Sequence, residues 1–333
     1  MKEILTGRPS VLVLDSDFTG ELNARLGVAE RLGYEYRIVR RPSGGLGDYL
    51  DYLKSAAMRD RSHGLPAPIV VLSGTGEDTI DEIADIKMAF DGDLLNVYLA
   101  SILPVEPSPR LWEYDLIASP QIQGSNVVSI LGVPHRVTRP LLDKAGNKHS
   151  EFFAQLTRPV ISVLIGGNTR YCFGFDVDYA VGLVSRIKRI AAGIGGTVVA
   201  TNSRRTPLAA WAAISAGLGD IGAVCFDWQT QPHDLYLALL EEGDVFIATG
   251  DSLSMCSEVA STGKPLLIDL SLETTEPFHR EILGRLCDYG AARPLAETFT
   301  PWTYDPPDPT GVVAQAIKDH LLCANSVMPV RSS

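Results

Sequence analysis

The sequence predicts an α/β chain of two Rossmann-like domains, each with a parallel sheet covered by helices. Three observations carry this. Apolar strand-like runs alternate with helical patterns along the chain, which argues parallel sheets. The alternation comes as two series separated by the polar stretch "KAGNKHSEFFAQLTR" (144–158). With 333 residues, 45% hydrophobic and 21% charged, the chain is long enough for two ordinary cores.

The first series reads "SVLVLD" (10–15), "YRIVR" (36–40), "PIVVLSG" (68–74), "LNVYLA" (95–100), "YDLIAS" (114–119) and "NVVSIL" (126–131). The second reads "PVISVLIGG" (159–167), "GTVVATNS" (196–203), "IGAVCFD" (221–227), "GDVFIATG" (243–250) and "PLLIDL" (265–270). Each run is short, rich in Val, Ile and Leu, and closed by polar or glycine residues, as strands buried on both faces are. Between them "NARLGVAERLG", "VDYAVGLVSRIKRIAAG", "PLAAWAAISAGLG" and "DLYLALLEEG" carry helical spacing. These limits place an N-terminal domain at 1–149 and a C-terminal one at 156–303. A closing segment at 304–325 is expected to form a helix that returns to the first domain.

Composition excludes several classes. Cysteines 172, 225, 256, 287 and 323 form no CxxC pair and have no His at metal-ligand spacing, so neither a zinc site nor a disulfide framework is expected. A net charge of −11 argues against a nucleic-acid partner. There is no apolar signal core at the start and no run of about 20 apolar residues that would span a bilayer. A cytoplasmic protein is the expectation.

Open parallel sheets bind ligands at the carboxyl ends of their strands. Four loops of the second series share that edge: "GGNTRY", "NSRRTP", "DWQTQPHD" and "TGDSLSMCSE". In the last, Asp251 and Ser252 are good N-cap residues, and Gly263-Lys264-Pro265 should stop a helix of about three turns. They can be read as caps of a structural helix or, with Ser254 and the free amides of the helix start, as a phosphate cradle. Glu258, one turn beyond Ser254, suits sugar hydroxyls better than phosphate. Gly166 and Gly167 allow close approach of backbone to a ligand or simply make a turn. Arg204 and Arg205 form a small basic patch, and Asp227 with Trp228 could face a base or ribose, or only cap and pack. Neither GxGxxG nor GxxxxGK[ST] occurs, which removes the usual dinucleotide and Walker routes. In the first domain, the loop after "VLVLD" carries Asp17, Thr19, Gly20 and Glu21. In a two-domain enzyme that loop should face the other domain, so Asp17 or Glu21 could serve as general base toward a hydroxyl. "SGTGED" (73–78) is a second glycine loop on the same edge.

The segments "VVATNSRRTP", "VFIATGDSLSMCSEVASTGKPLLI", "VISVLIGGNTRY", "NVVSILGVPHRVT", "GAARPL" and "WTYDPPDPTGVVAQAI" resemble the ELM-like mitochondrial fission family from about residue 11 to 320. Its bacterial members are described as candidate glycosyltransferases of the GT-B type, with two facing Rossmann-like domains. The resemblance implies a metal-independent enzyme with no cofactor, taking a nucleotide-diphosphate sugar as donor and a glycan or glycolipid hydroxyl as acceptor. Alternatives on the same fold are a nucleotide-sugar epimerase or hydrolase, and a non-catalytic fission or scaffold protein. It further implies that Gly166, Gly167 and Asn168 approach the diphosphate, Arg204 or Arg205 pairs with it, and Asp251, Ser252 and Ser254 complete the cradle. Glu258 would hold the ribose and Asp227 would lie among base or acceptor contacts. Peripheral inner-membrane contact fits a lipid-linked acceptor, although no segment establishes it. The family's first loop reads DGxxGHENQ; here Gly20, Asn23 and Gly27 are kept, while Glu21 stands at the His position, Leu22 at the Glu and Ala24 at the Gln. Glu21 must then replace that His as base, or activity is altered.

Overall fold

A computed structural model describes residues 10–16, 18–40, 55, 68–74, 80–89, 94–103 and 106–327. The chain divides into two compact units, Met1–Arg136 with Asp308–Ser333, and Val137–Pro307.

In chain order the first unit contains β1 (Ser10–Leu14), α1 (Thr19–Leu32), β2 (Glu35–Val39), β3 (Pro68–Ser73), α2 (Ile80–Ala84), β4 (Leu95–Leu99), β5 (Leu116–Ser119) and β6 (Val127–Ser129). The second contains α3 (Arg139–Ala154), β7 (Val160–Leu164), α4 (Val177–Ile194), β8 (Thr197–Thr201), α5 (Leu208–Gly219), β9 (Val224–Phe226) and α6 (Leu235–Glu242). It continues with β10 (Val245–Thr249), α7 (Leu253–Ala260), β11 (Leu266–Asp269), α8 (Pro277–Tyr289) and β12 (Arg293–Pro294). The chain then returns to the first unit as α9 (Pro309–Val327), which packs on α1.

Both sheets are parallel throughout, ordered β2-β1-β3-β4-β5-β6 and β12-β11-β10-β7-β8-β9. Strands β1, β4, β7 and β10 are buried at every position, which explains their unbroken apolar runs. Helix α4 shows the complementary pattern: Tyr179, Ala180, Leu183, Val184, Ile187 and Ile190 line one buried stripe. Its start is fixed by Asp176, whose carboxylate accepts the Tyr179 amide at 2.9 Å. Each fully buried Leu or Ile in such a stripe contributes about 1.5–3 kcal/mol.

In the second sheet the chain begins centrally at β7, moves outward through β8 and β9, and returns to the other side of β7 with β10. The strand order therefore reverses between β7 and β10, where the carboxyl ends open a crevice. In the first sheet the corresponding reversal lies between β1 and β3.

Several elements differ from the sequence expectation. Residues 144–154 of the polar stretch belong to the 16-residue helix α3, which packs on α6, and the second compact unit begins at Val137. Helix α7 has eight residues, nearer two turns than three. Helix α8 and strand β12 lie where no element was expected.

Candidate functional site

At the end of β7 the chain runs through Ile165 into Gly166, Gly167 and Asn168. Gly166 N–H donates to Thr249 Oγ1 and Gly167 N–H to Asp251 Oδ2, each at 2.8 Å. A Cβ on Gly166 would lie 2.0 Å from Asp251 Oδ2, and one on Gly167 2.1 Å from the Arg205 carbonyl oxygen. Both glycines are thus required by the packing of three strand-end loops against one another.

Arg205 is the clasp of that packing. Its guanidinium meets Asp251 Oδ2 at 2.7 Å and donates to the carbonyls of Gly167 and Asn168, both at 3.2 Å. The Asp251 side chain has no exposure at all; burial pushes its carboxyl upward, against the pull of Arg205 and the Gly167 amide. Ser203 Oγ donates to the Gly166 carbonyl at 3.0 Å, and the Thr206 hydroxyl binds the same oxygen. Arg204, by contrast, is exposed and has no hydrogen bond or ion pair among the described residues. The adjacent arginines have opposite tasks: Arg205 is spent on the loops, and Arg204 is free.

Ser252 caps α7 by accepting the Met255 amide at 3.4 Å. The amides of Leu253 and Ser254 stand in the first turn, where the helix itself supplies no acceptor. Ser254 is half-buried and makes no side-chain hydrogen bond among the described residues. Asn168 is only partly free, since its Oδ1 accepts the Phe175 amide at 3.1 Å. Glu258 is half-buried beside α6 and accepts the Tyr236 hydroxyl; burial pushes its carboxyl up to about 7, although the Tyr236 bond pulls the other way. Asp227 accepts the Gln229 amide at 2.9 Å and Asn202 Nδ2 at 3.4 Å, so it shapes its own turn, with Trp228 at 38% exposure beside it.

A buried group escaped the sequence reading. The Thr169 hydroxyl binds Glu276 Oε1, and His279 Nδ1 lies 2.9 Å from Glu276 Oε2. Burial raises the Glu276 carboxyl, but the His279 and Thr169 bonds outweigh it and hold it below its ordinary range. The group ties the β7 loop to the start of α8. Its signal was present in "TTEPFH", where Glu276 precedes a proline at the first helical position and His279 follows three residues later. Among the described residues no three His, Cys, Asp or Glu side chains gather in a way that could hold a metal ion.

In the first unit, Glu21 sits at the carboxyl end of β1. Ser16 Oγ donates to Glu21 Oε2 at 2.6 Å, and Arg25 approaches the same oxygen at 3.6 Å. Arg25 is 3% exposed and donates to the carbonyls of Leu14 at 2.6 Å, Asp15 at 2.9 Å and Gly74. It thereby bridges β1 and β3 at the reversal of that sheet. Asp17 and the rest of the glycine loop beyond Gly74, residues 75–78, lie outside the described residues.

The family described as Mitochondrial fission ELM1 matches residues 19–321. The chain belongs to this family. A relative in Arabidopsis thaliana, Mitochondrial fission protein ELM1, is 30% identical over 199 residues, 59% of this chain and 46% of that protein. An uncharacterized protein of Rickettsia prowazekii (strain Madrid E) is 30% identical over 176 residues, 51% of this chain and 48% of its own. The chain thus spans about half the length of these relatives. Among solved structures it is similar to the UDP-GlcNAc 2-epimerase of Methanocaldococcus jannaschii, with a TM-score of 0.58 at 11% identity, covering 93% of this chain and 99% of that one. It is also similar to a UDP-glucosyltransferase of Polygonum tinctorium, with a TM-score of 0.56 at 10% identity, covering 96% and 94%. These likenesses show a fold of the GT-B type shared by glycosyltransferases and epimerases. No described helix of this ELM1-family chain is long and apolar enough to cross a membrane.

Proposed function

We propose that this ELM1-family chain is a glycosyltransferase that binds a nucleotide-diphosphate sugar at the carboxyl edge of the second sheet and transfers the sugar to a hydroxyl. The observation that carries the reading is the division of labour between Arg204 and Arg205. The β7, β8 and β10 loops are fastened together by Arg205 and Asp251, which leaves Arg204 and the first amides of α7 uncommitted beside the switch point. A guanidinium and a helix start suit a diphosphate, and both gain strength as negative charge accumulates on the departing nucleotide.

Glu258 then takes the ribose hydroxyls, its second oxygen being oriented by Tyr236. Gly166, Gly167 and Asn168 shape the backbone beside the diphosphate, and Ser252 and Ser254 add hydroxyls. Asp227 and Trp228 border the base. Glu21 is the candidate base: it takes the proton of the acceptor hydroxyl as that oxygen bonds to the anomeric carbon and the carbon–phosphate oxygen bond breaks. Arg25 and Ser16 hold its carboxylate in place. The nucleoside diphosphate leaves, neutralised by Arg204 and the helix start in place of a metal ion. A glycan or glycolipid acceptor completes the reading, with peripheral inner-membrane contact if the acceptor is lipid-linked.

The test is thermal shift of the purified protein against UDP, GDP, CMP, ADP and dTDP, with and without Mg²⁺. A ligand that binds only the native state raises the midpoint, by about 2.7 kcal/mol of stabilisation at a hundredfold excess over Kd. One diphosphate should stabilise the wild type without Mg²⁺, and Arg204→Ala should lose most of the shift while keeping the unliganded midpoint. A full shift in Arg204→Ala refutes the phosphate assignment. Turnover of the sugar donor with no acceptor present moves the reading to an epimerase or hydrolase, consistent with the likeness to an epimerase. No shift with any nucleotide moves it to a non-catalytic scaffold.

A further inference from the structure

A cavity lies in the same unit at the amino edge of the sheet, opposite the strand-end loops described above. Helix α8 runs from the Glu276 corner to this edge, and its 13 residues at about 1.5 Å each put the two places roughly 20 Å apart. The cavity has a volume of about 450 Å³, within the range of small-ligand pockets.

Its lining includes the exposed side chains of Arg293 and Asp305. The Arg293 guanidinium stacks on the Trp302 ring, 4.2 Å from the ring centre, and donates through one nitrogen to Thr300 Oγ1 at 3.2 Å. Its other nitrogens have no hydrogen-bond partner among the described residues. Trp302 is fixed in turn by donating Nε1–H to the Gly290 carbonyl at 2.9 Å. Asp305 lines the same cavity, is exposed, and makes no hydrogen bond or ion pair among the described residues. Tyr289 adds a half-exposed ring and a hydroxyl, also without a described partner. A guanidinium and a carboxylate thus share a cavity without pairing with each other.

That combination selects a ligand chemistry. A phosphate would meet the Asp305 carboxylate and the negative end of the α8 dipole. An apolar ligand would strip water from Arg293 and Asp305 and return no hydrogen bonds. A bound metal would want the Cys287 thiol, which burial pushes up to about 11 and keeps protonated. Neighbouring hydroxyls, each both donor and acceptor, satisfy a guanidinium and a carboxylate together, and the carbon face of a sugar ring packs on an aromatic side chain.

We propose that this cavity is a saccharide-binding site, taking a neutral sugar residue with its hydroxyls on Arg293 and Asp305 and its ring on Tyr289. The site stands apart from the nucleotide edge and does not depend on that reading. It would let the protein hold a glycan at a distance from any bound donor.

The experiment follows the Trp302 indole N–H signal in ¹⁵N-labelled full-length protein, identified by its loss in Trp302→Phe. Glucose, galactose, mannose, N-acetylglucosamine and inorganic phosphate are titrated separately, up to about 50 mM to cover weak affinities. At least one sugar should shift the signal saturably. Its affinity should fall tenfold or more in Asp305→Ala and in Tyr289→Ala, both exposed positions whose replacement leaves the core untouched, and should be unchanged in Arg204→Ala. No saturable shift with any sugar overturns the proposal, as does a shift that survives in Asp305→Ala or one produced by phosphate instead. Failure here leaves the nucleotide reading standing, because Arg204→Ala reports on that site alone.

Discussion

Replacing Gly166 by alanine tests whether the clasped loops are the foundation of the site. The added Cβ would stand 2.0 Å from Asp251 Oδ2, so the carboxylate must move by more than 1 Å to reach ordinary contact near 3.4 Å. That movement removes the 2.8 Å bond from the Gly167 amide and opens the 2.7 Å pair with Arg205. A hydrogen bond to a charged group contributes about 1.5–3 kcal/mol, and breaking a fully buried pair costs about 3–5 kcal/mol. The Arg205 side chain is 32% exposed, which lowers the second figure through solvent screening. A net loss of about 3 kcal/mol follows, a factor of about 100 in the folding equilibrium. In a unit of this size it corresponds to a fall of about 6–12 °C in Tm. Gly182 is the control: it is exposed on α4, a Cβ there meets nothing within 4 Å, and Gly182→Ala should stabilise by about 0.5–1 kcal/mol. Trp211, Trp228 and Trp302 all belong to the second unit, so fluorescence-monitored urea unfolding in a Trp112→Phe background reports that unit. If Gly166→Ala unfolds within about 0.5 kcal/mol of wild type, as an ordinary surface substitution does, the clasp is not what holds these loops.

The other predictions concern charge and packing. Arg205→Ala should destabilise the second unit by an amount similar to Gly166→Ala, whereas Arg204→Ala should leave its unfolding midpoint in urea unchanged. Because burial raises the Glu258 carboxyl to about 7 from an unfolded value near 4.5, the stability it confers is complete below pH 4.5 and lost as pH rises through 7. Glu258→Gln should flatten that fall in a stability profile of the second unit; an unchanged slope assigns it elsewhere. His135 has the opposite sign: burial lowers it to about 4, so its contribution is present above pH 6.5 and lost as pH falls through 4. His135→Leu should remove this acid sensitivity from the first unit, read by Trp112 in a background lacking the other tryptophans. Gly27→Ala should destabilise the first unit by more than 1 kcal/mol, measured in the same way, because its Cβ would lie 2.1 Å from the backbone oxygen of His135.

The alternation of strands and helices was legible because the central strands are buried on both faces and their apolar runs are unbroken. Helix α3 was not, since its contact with α6 is made partly through Gly146, whose Cβ would lie 2.7 Å from the Glu241 side chain, and a glycine contact leaves no hydrophobic mark. At the site, Gly166, Gly167, Asp251 and Ser252 stood out by type and place. The sequence offered no way to tell Arg204 from Arg205, because the division of tasks depends on which side chain turns toward Asp251. Arg25 could have been noticed as the lone cation in the apolar pattern "NARLGVA", a position where an arginine needs internal acceptors.

The threonine hydroxyl of Thr310 accepts the His135 amide and donates to the His135 carbonyl, each at 2.9 Å. It thus joins the point where the chain leaves the first unit to the point where it comes back, 175 residues later. During synthesis the second unit, Val137–Pro307, is complete before the ribosome has made the residues that finish the first. Until α9 arrives, the face of α1 that it covers has no Val313, Ala314 or Ile317 to pack against. The first unit to begin is therefore the last to be finished, and a chain truncated before Thr310 should carry a folded second unit behind an N-terminal unit still open to proteases and chaperones.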